Sequence, residues 1–145
     1  MEKEIPRVQK PLKFKDNRGC LWAYDDFDLE KLSIKRVFQI EVANFRGWHG
    51  HQLENNWFKV CSGMLKILIV KPDHWEAPSF NIKPAEYILS AEGHDILHIP
   101  AGYVSAIKPL KENSVLEVFS DKYLEESLKD DYRFDGDRWY YDSFM

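Results

Sequence analysis

Trp57-Phe58-Lys59-Val60-Cys61-Ser62-Gly63-Met64-Leu65-Lys66-Ile67-Leu68-Ile69-Val70 is the stretch on which the fold turns. Two short runs, rich in the branched and aromatic side chains that strands favour, flank a Ser-Gly pair. Ser62-Gly63 reads as a tight hairpin turn between them. The same texture repeats on either side. Residues 8–14 read as a strand, Asp16-Asn17-Arg18-Gly19 breaks it, and 20–24 resume it. Residues 34–45 (IKRVFQIEVANF) alternate apolar and polar side chains, and 86–89, 95–99, 103–107 and 114–119 are further strand candidates. About nine strands at short spacing, with almost no amphipathic helix among them, predict an all-β sandwich or barrel.

The end of the chain differs. Residues 123–134 (YLEESLKDDYRF) read as one or two helical turns, followed by the aromatic-rich GDRWYYDSFM. An exposed tail does not normally carry Trp139, Tyr140, Tyr141 and Phe144, so this segment is expected to dock on the barrel or on a partner subunit. Asp130-Asp131 and Asp135-Gly136-Asp137 match no calcium loop in length or ligand count and read as a solvated terminal segment.

Composition bounds the rest. The 145 residues are expected to form one domain, 1–145. Twenty Lys and Arg against 24 Asp and Glu give a net charge of −4, the wrong sign for a partner with a phosphate backbone. The longest aliphatic run, 67–70, falls far short of the ~20 residues that span a bilayer, and the first residues carry no apolar stretch of a signal peptide. The expectation is a soluble, cytoplasmic protein with no nucleic-acid or membrane partner. Cys20 and Cys61 are too few for a disulfide framework and lack CxxC spacing, and read as reduced thiols packed in strands.

Arg46-Gly47-Trp48-His49-Gly50-His51-Gln52 carries the chemistry. Side chains two apart on a strand share a face, so His49 and His51 point the same way, which in a barrel can be inward. The pair admits three readings: two metal ligands, a general base with a supporting neighbour, or two structurally satisfied histidines. A metal would need further ligands on neighbouring strands; Glu54 and the turn Pro100-Ala101-Gly102-Tyr103-Val104-Ser105 are the places to look. A neutral imidazole, with a pKa near ~6.5, suits proton removal next to a carbonyl. Arg46 and Lys59 are candidate cations for an enolate or a diphosphate. Trp48, Trp57 and Trp75 are read as packing residues before sugar-stacking ones.

These segments look like the two motifs of the cupin superfamily, although Glu54 follows His51 too closely and Ser105 stands where metal-binding cupins have a His. More specifically, the chain resembles the deoxysugar-processing cupins: dTDP-4-dehydrorhamnose 3,5-epimerases and dTDP-4-keto-6-deoxyglucose 3,4-ketoisomerases. Asp16-Asn17-Arg18-Gly19 is similar to the Asp-x-Arg-Gly turn of both. Ile34-Lys35-Arg36-Val37-Phe38 looks like the ketoisomerases' Ile-Lys-Arg-Val-Tyr, Arg46-Gly47-Trp48-His49 the epimerases' Arg-Gly-Leu-His, and His49-Gly50-His51 the ketoisomerases' His-x-His. Leu89-Ser90-Ala91-Glu92, Leu97-His98-Ile99-Pro100-Ala101-Gly102-Tyr103 and Val118-Phe119-Ser120-Asp121-Lys122-Tyr123 follow in the family's order.

The resemblance spans residues 13–134. It implies a homodimeric cupin-type β-jelly roll (a double-stranded β-helix) with a short C-terminal helical and aromatic segment. It also implies chemistry without metal or cofactor, on a nucleotide-linked 4-keto-6-deoxysugar. By matching, His49 is the base, His51 a second candidate base and Arg46 a phosphate or substrate contact. The epimerases' catalytic tyrosine falls at Glu117, and the ketoisomerases' tyrosine at Phe38 or Gln39. Glu117 is thus a candidate acid, since burial can raise a carboxyl pKa, or an ordinary strand residue. Gln39, Tyr103 and Tyr123 are candidate substrate contacts, the two tyrosines also possible proton donors or packing residues. Asp73-His74-Trp75 replaces the epimerases' Asp-x-Arg. The function expected is an epimerase or ketoisomerase; the alternatives are a non-catalytic sugar or sugar-nucleotide binder and a metal-dependent cupin.

Overall fold

The structure, a computed structural model, describes residues 4–139. Twelve strands form among them: β1 (Arg7–Gln9), β2 (Leu12–Asp16), β3 (Gly19–Ala23), β4 (Arg36–Val42), β5 (Arg46–His51), β6 (Asn56–Ser62), β7 (Met64–Val70), β8 (Ala85–Ser90), β9 (Ile96–Ile99), β10 (Tyr103–Pro109), β11 (Ser114–Ser120) and β12 (Tyr132–Arg133). A single short helix, α1 (Leu124–Leu128), lies between the last two. One sheet runs β1-β9-β6-β11-β4, a second β12-β5-β10-β7-β8, and β2-β3 stand apart as a hairpin. From β4 to β7 the chain changes sheet at every step, as a jelly roll requires.

That alternation corrects the opening expectation. β6 and β7 are not a hairpin: β6 pairs with β9 and β11, β7 with β10 and β8. Ser62-Gly63 is the corner where the chain leaves one sheet for the other. Gly63 has φ +78°, a conformation that side chains resist, and a Cβ there would meet Ser114 Oγ at 2.3 Å. Ser114 Oγ instead accepts the Met64 N–H at 3.1 Å. Two predicted single strands are also divided. Residues 8–14 split at Lys10-Pro11, where proline has no N–H for a ladder. Residues 34–45 end at Val42, and the chain resumes at Arg46 in the opposite sheet.

The core sits in two layers. Between the sheets, Val60, Leu65, Ile67, Leu97, Leu116 and Val118 are essentially sealed from water. Outside the second sheet, Trp48, Leu68, Val70, Val104 and Ala106 form another cluster with Trp139. Apolar side chains on both faces of β7 explain its unbroken apolar run. The expected docking of the aromatic end therefore holds at Trp139, fully buried with its Nε1–H donating to Ser79 O at 2.8 Å; Tyr140, Tyr141 and Phe144 lie outside the described residues. Cys20 and Cys61 lie in β3 and β6 but are exposed rather than packed. Among the described residues no helix is long and apolar enough to cross a membrane.

Candidate active site

One end of the barrel interior is left unfilled by the core and opens as a cavity of about 760 Å³. β5 forms one wall. Its alternation sends Trp48 and Gly50 out to the second cluster and His49 and His51 in to the cavity. The parity is enforced by space: a Cβ on Gly50 would meet Val104 at 2.6 Å and the Trp75 ring at 3.0 Å.

Both imidazoles are held through one nitrogen. His51 Nδ1 lies 2.6 Å from the Asp130 carbonyl oxygen. A carbonyl only accepts, so Nδ1 carries a proton and the Nε2 side of the ring is left for another partner. His49 Nε2 lies 2.6 Å from Asp131 Oδ1. The carboxylate takes the Nε2–H, which makes Nδ1 the basic nitrogen. Arg133 completes the arrangement, its Nε–H donating to both Asp131 oxygens at 3.2 Å. Burial and the neighbouring His51 pull the His49 pKa below its usual value against the opposing pull of Asp131, so the ring is neutral at neutral pH. Burial pushes Asp131 up, but hydrogen bonds from Arg133 and His49 prevail and hold it below the usual carboxylate range.

Asp130 and Asp131 correct the expectation of a solvated acidic segment. Asp130 is 5% exposed, and its carboxylate accepts three backbone N–H groups: Gln52 at 2.8 Å, Leu53 at 2.8 Å and Glu54 at 2.9 Å. It closes the turn after β5 while its carbonyl oxygen fixes His51. β12 then pairs with β5, placing Arg133 opposite His49. The sequence signal was slight: a charged pair ahead of a two-residue strand has no periodicity to read.

Glu54 also lines the cavity. Ser120 Oγ–H donates to its Oε2 at 2.8 Å, and Arg36 Nη2 approaches the same oxygen at 3.4 Å. Among the described residues no three His, Cys, Asp or Glu side chains are arranged to hold a metal ion.

No family model matches the chain, and no curated protein matches it at a significant level. Solved structures do. The chain superposes on the dTDP-4-dehydrorhamnose 3,5-epimerase of Bacillus anthracis, solved with TDP and PPi bound. The TM-score is 0.73 and the identity 22%, over 91% of this chain and 79% of that one. The fold is that of the RmlC-like cupins. It also superposes on a variant of the 3,4-ketoisomerase QdtA from Thermoanaerobacterium thermosaccharolyticum in complex with TDP-4-keto-6-deoxyglucose. There the TM-score is 0.70 and the identity 20%, over 92% and 90% of the two chains. A third match is WlaRA, a TDP-fucose-3,4-ketoisomerase from Campylobacter jejuni, at 0.65 and 19%, over 87% of each. At such identities the likeness is one of fold.

Within this fold, the residues singled out from sequence divide into two groups. His49, His51 and Arg46 line the cavity. Glu117, Lys59 and Gln39 do not. They form one cross-strand row in which Glu117 lies opposite both Gln39 and Lys59. The inward neighbours Leu116 and Val118 belong to the core, so the row faces outward, away from the cavity. Gln39 Nε2 donates to Glu117 Oε2 at 3.3 Å on that outer surface. Tyr123 precedes α1, is 58% exposed and does not line the cavity. Tyr103 lies opposite His51 in register, but it packs on the inter-sheet core and its hydroxyl donates to Glu4 O at 3.3 Å. Trp57 stacks on His98 outside the first sheet, and Trp48 and Trp75 join the outer cluster, in keeping with packing roles. Besides Asp130 and Asp131, which hold the two histidines, the sequence reading missed Arg36, Asn56 and Arg133, which line the cavity.

Proposed function

We propose that the chain is a metal-independent isomerase that moves a proton next to the ketone of a nucleotide-linked 4-keto-6-deoxysugar. The observation that carries this is the His49–Asp131 contact of 2.6 Å at the wall of an open cavity. Such a pair is a neutral imidazole with one nitrogen oriented by a carboxylate and the other free to take a proton. In this reading His49 removes the proton, Asp131 orients it and stabilises the imidazolium, and His51 is the second base. Arg36, Arg46 and Arg133 line the cavity, and in this reading supply positive charge for an enolate or a diphosphate. The TDP and TDP-sugar bound by the superposed epimerase and ketoisomerase support the choice of substrate.

The test is proton NMR of dTDP-4-keto-6-deoxyglucose with the protein in heavy water. Epimerisation is expected to bring deuterium to C3 and C5, and ketone migration to bring a C3 ketone with exchange at C4; His49→Ala is expected to abolish either. Absence of exchange from the wild-type protein, with the nucleotide sugar still bound, would favour a non-catalytic sugar-nucleotide binder. That second reading has its own support: no tyrosine lines the cavity among the described residues, and Glu117 lies outside it. A cytoplasmic homodimer belongs to the same proposal. The exposed Leu12, Phe14 and Leu21 of the β2–β3 hairpin support the dimer, and monomeric sedimentation at micromolar concentration would remove it.

A further inference from the structure

Glu54 is the most buried ionisable side chain in the cavity, 2% exposed, yet its hydrogen bonding is one-sided. Oε2 is occupied by Ser120 and approached by Arg36. Oε1 is buried and has no hydrogen-bond partner among the described residues; the His51 Nδ1 that lies 3.8 Å away is already committed to Asp130. Asn56, 9% exposed and also lining the cavity, likewise has a buried Oδ1 without a partner. Buried acceptors left open cost free energy unless a donor arrives. A single unfilled acceptor in a core would be a packing fault, but two at the wall of one cavity describe a place for hydroxyl groups.

The opposite wall sharpens the point. Facing β5 across the barrel are the inward side chains Phe38, Ile40, Phe58 and Val118, with Arg36 and Asn56 on the same sheet; hydrocarbon, a guanidinium and a carboxamide offer no general acid there. Inverting a carbon through an enolate needs a second proton-bearing group on the face away from the base. This cavity has its imidazole bases on one wall and no general acid facing them from the other. Moving a ketone between adjacent carbons needs no such opposite partner. It needs one base for the carbon-bound proton and one group that relays a proton between the two oxygens.

We infer that Glu54 is a catalytic residue, the oxygen-to-oxygen proton carrier of a ketone migration, and that the substrate class is an α-hydroxyketone sugar with both oxygens set against Glu54. This rests on the isomerase reading above. The step balances without any co-reactant. His49 takes the proton from the hydroxyl-bearing carbon; that C–H pair becomes the carbon–carbon double bond of an enediolate, and the carbonyl pair moves to its oxygen. Glu54 accepts the proton of the neighbouring hydroxyl and passes it to the former carbonyl oxygen. The deprotonated oxygen then forms the new C=O bond, and the former carbonyl carbon takes the proton held by His49. One ketone and one hydroxyl have changed places, with no net oxidation.

The experiment separates the carbon proton from the oxygen proton. Wild type, Glu54→Gln and Glu54→Asp are incubated with TDP-4-keto-6-deoxyglucose in heavy water, each checked for an intact thermal transition. Deuterium at C3 of the starting sugar and appearance of the migrated ketone are followed separately. Glu54→Gln keeps C3 exchange within a few-fold of wild type while ketone migration falls about 100-fold or more, the size of a lost general acid–base group. Should that variant not fold, Glu54→Asp, which keeps the charge and withdraws the carboxyl by one methylene, shows the same split. Ketone migration undiminished in a folded variant overturns the role of Glu54 and leaves the isomerase reading standing, as does equal loss of exchange and migration. A wild-type protein that exchanges nothing overturns both.

Discussion

β5 and β11 are neighbours of the same cavity, and each was expected to supply a catalytic side chain. On β5, His49 and His51 both face inward and each has a hydrogen-bond partner. On β11 the cavity receives Val118, while Glu117 faces outward beside Gln39 and Lys59. The strands differ in what sets their parity. β5 has glycine at the position where a Cβ would strike Val104, so only one set of faces fits. β11 has apolar residues on both sides of Glu117, and the core simply takes the pair that completes it, Leu116 and Val118. A polar residue between two buried apolar ones belongs to the outer surface unless space forbids it.

The contrast can be broken by substitution. His49→Ala is expected to lower the exchange rate by about 10²–10⁴-fold, and a variant retaining wild-type exchange would remove β5 from the chemistry. Asp131→Asn is the intermediate case. A charge-assisted hydrogen bond worth about 1.5–3 kcal/mol corresponds to roughly a 10- to 100-fold loss. Its pH signature is directional. Asp131 is the neighbour that raises the His49 pKa while burial and His51 lower it. Asparagine removes the upward pull, so the acidic limb of the kcat/KM profile moves to lower pH. A limb that stays in place would show that His49 does not titrate in the reaction. Glu117→Gln is the smallest effect, a rate within about twofold of wild type and stability within about 0.5 kcal/mol, as for a surface position. A collapse of turnover in this variant would return β11 to the site.

Much of the molecule was legible from residue pattern alone. Short alternating runs identified the all-β class, and the His-x-His spacing identified the inward face of β5. Other features had no local signature. Ser62-Gly63 looks like any hairpin turn, because what makes it a corner is the distant Ser114 against which Gly63 packs. Gln39 and Glu117 were chosen by family matching and Lys59 for its charge, although strand alternation turns all three outward. Asp130 and Asp131 were passed over because their partners, Gln52, Leu53, Glu54, His51 and His49, come from the other half of the chain.

That last separation has a consequence for how the protein is made. His49 and Asp131 are 82 residues apart, and His51 and Asp130 are 79. During synthesis the histidines leave the ribosome long before the acids that orient them. A nascent chain ending at β11 already holds nearly all the strands of both sheets, yet its imidazoles have no fixed tautomer and the turn bearing Glu54 has no clasp. A chain cut short before Asp130 lacks both acids, and with them Phe134 and Trp139 of the outer cluster.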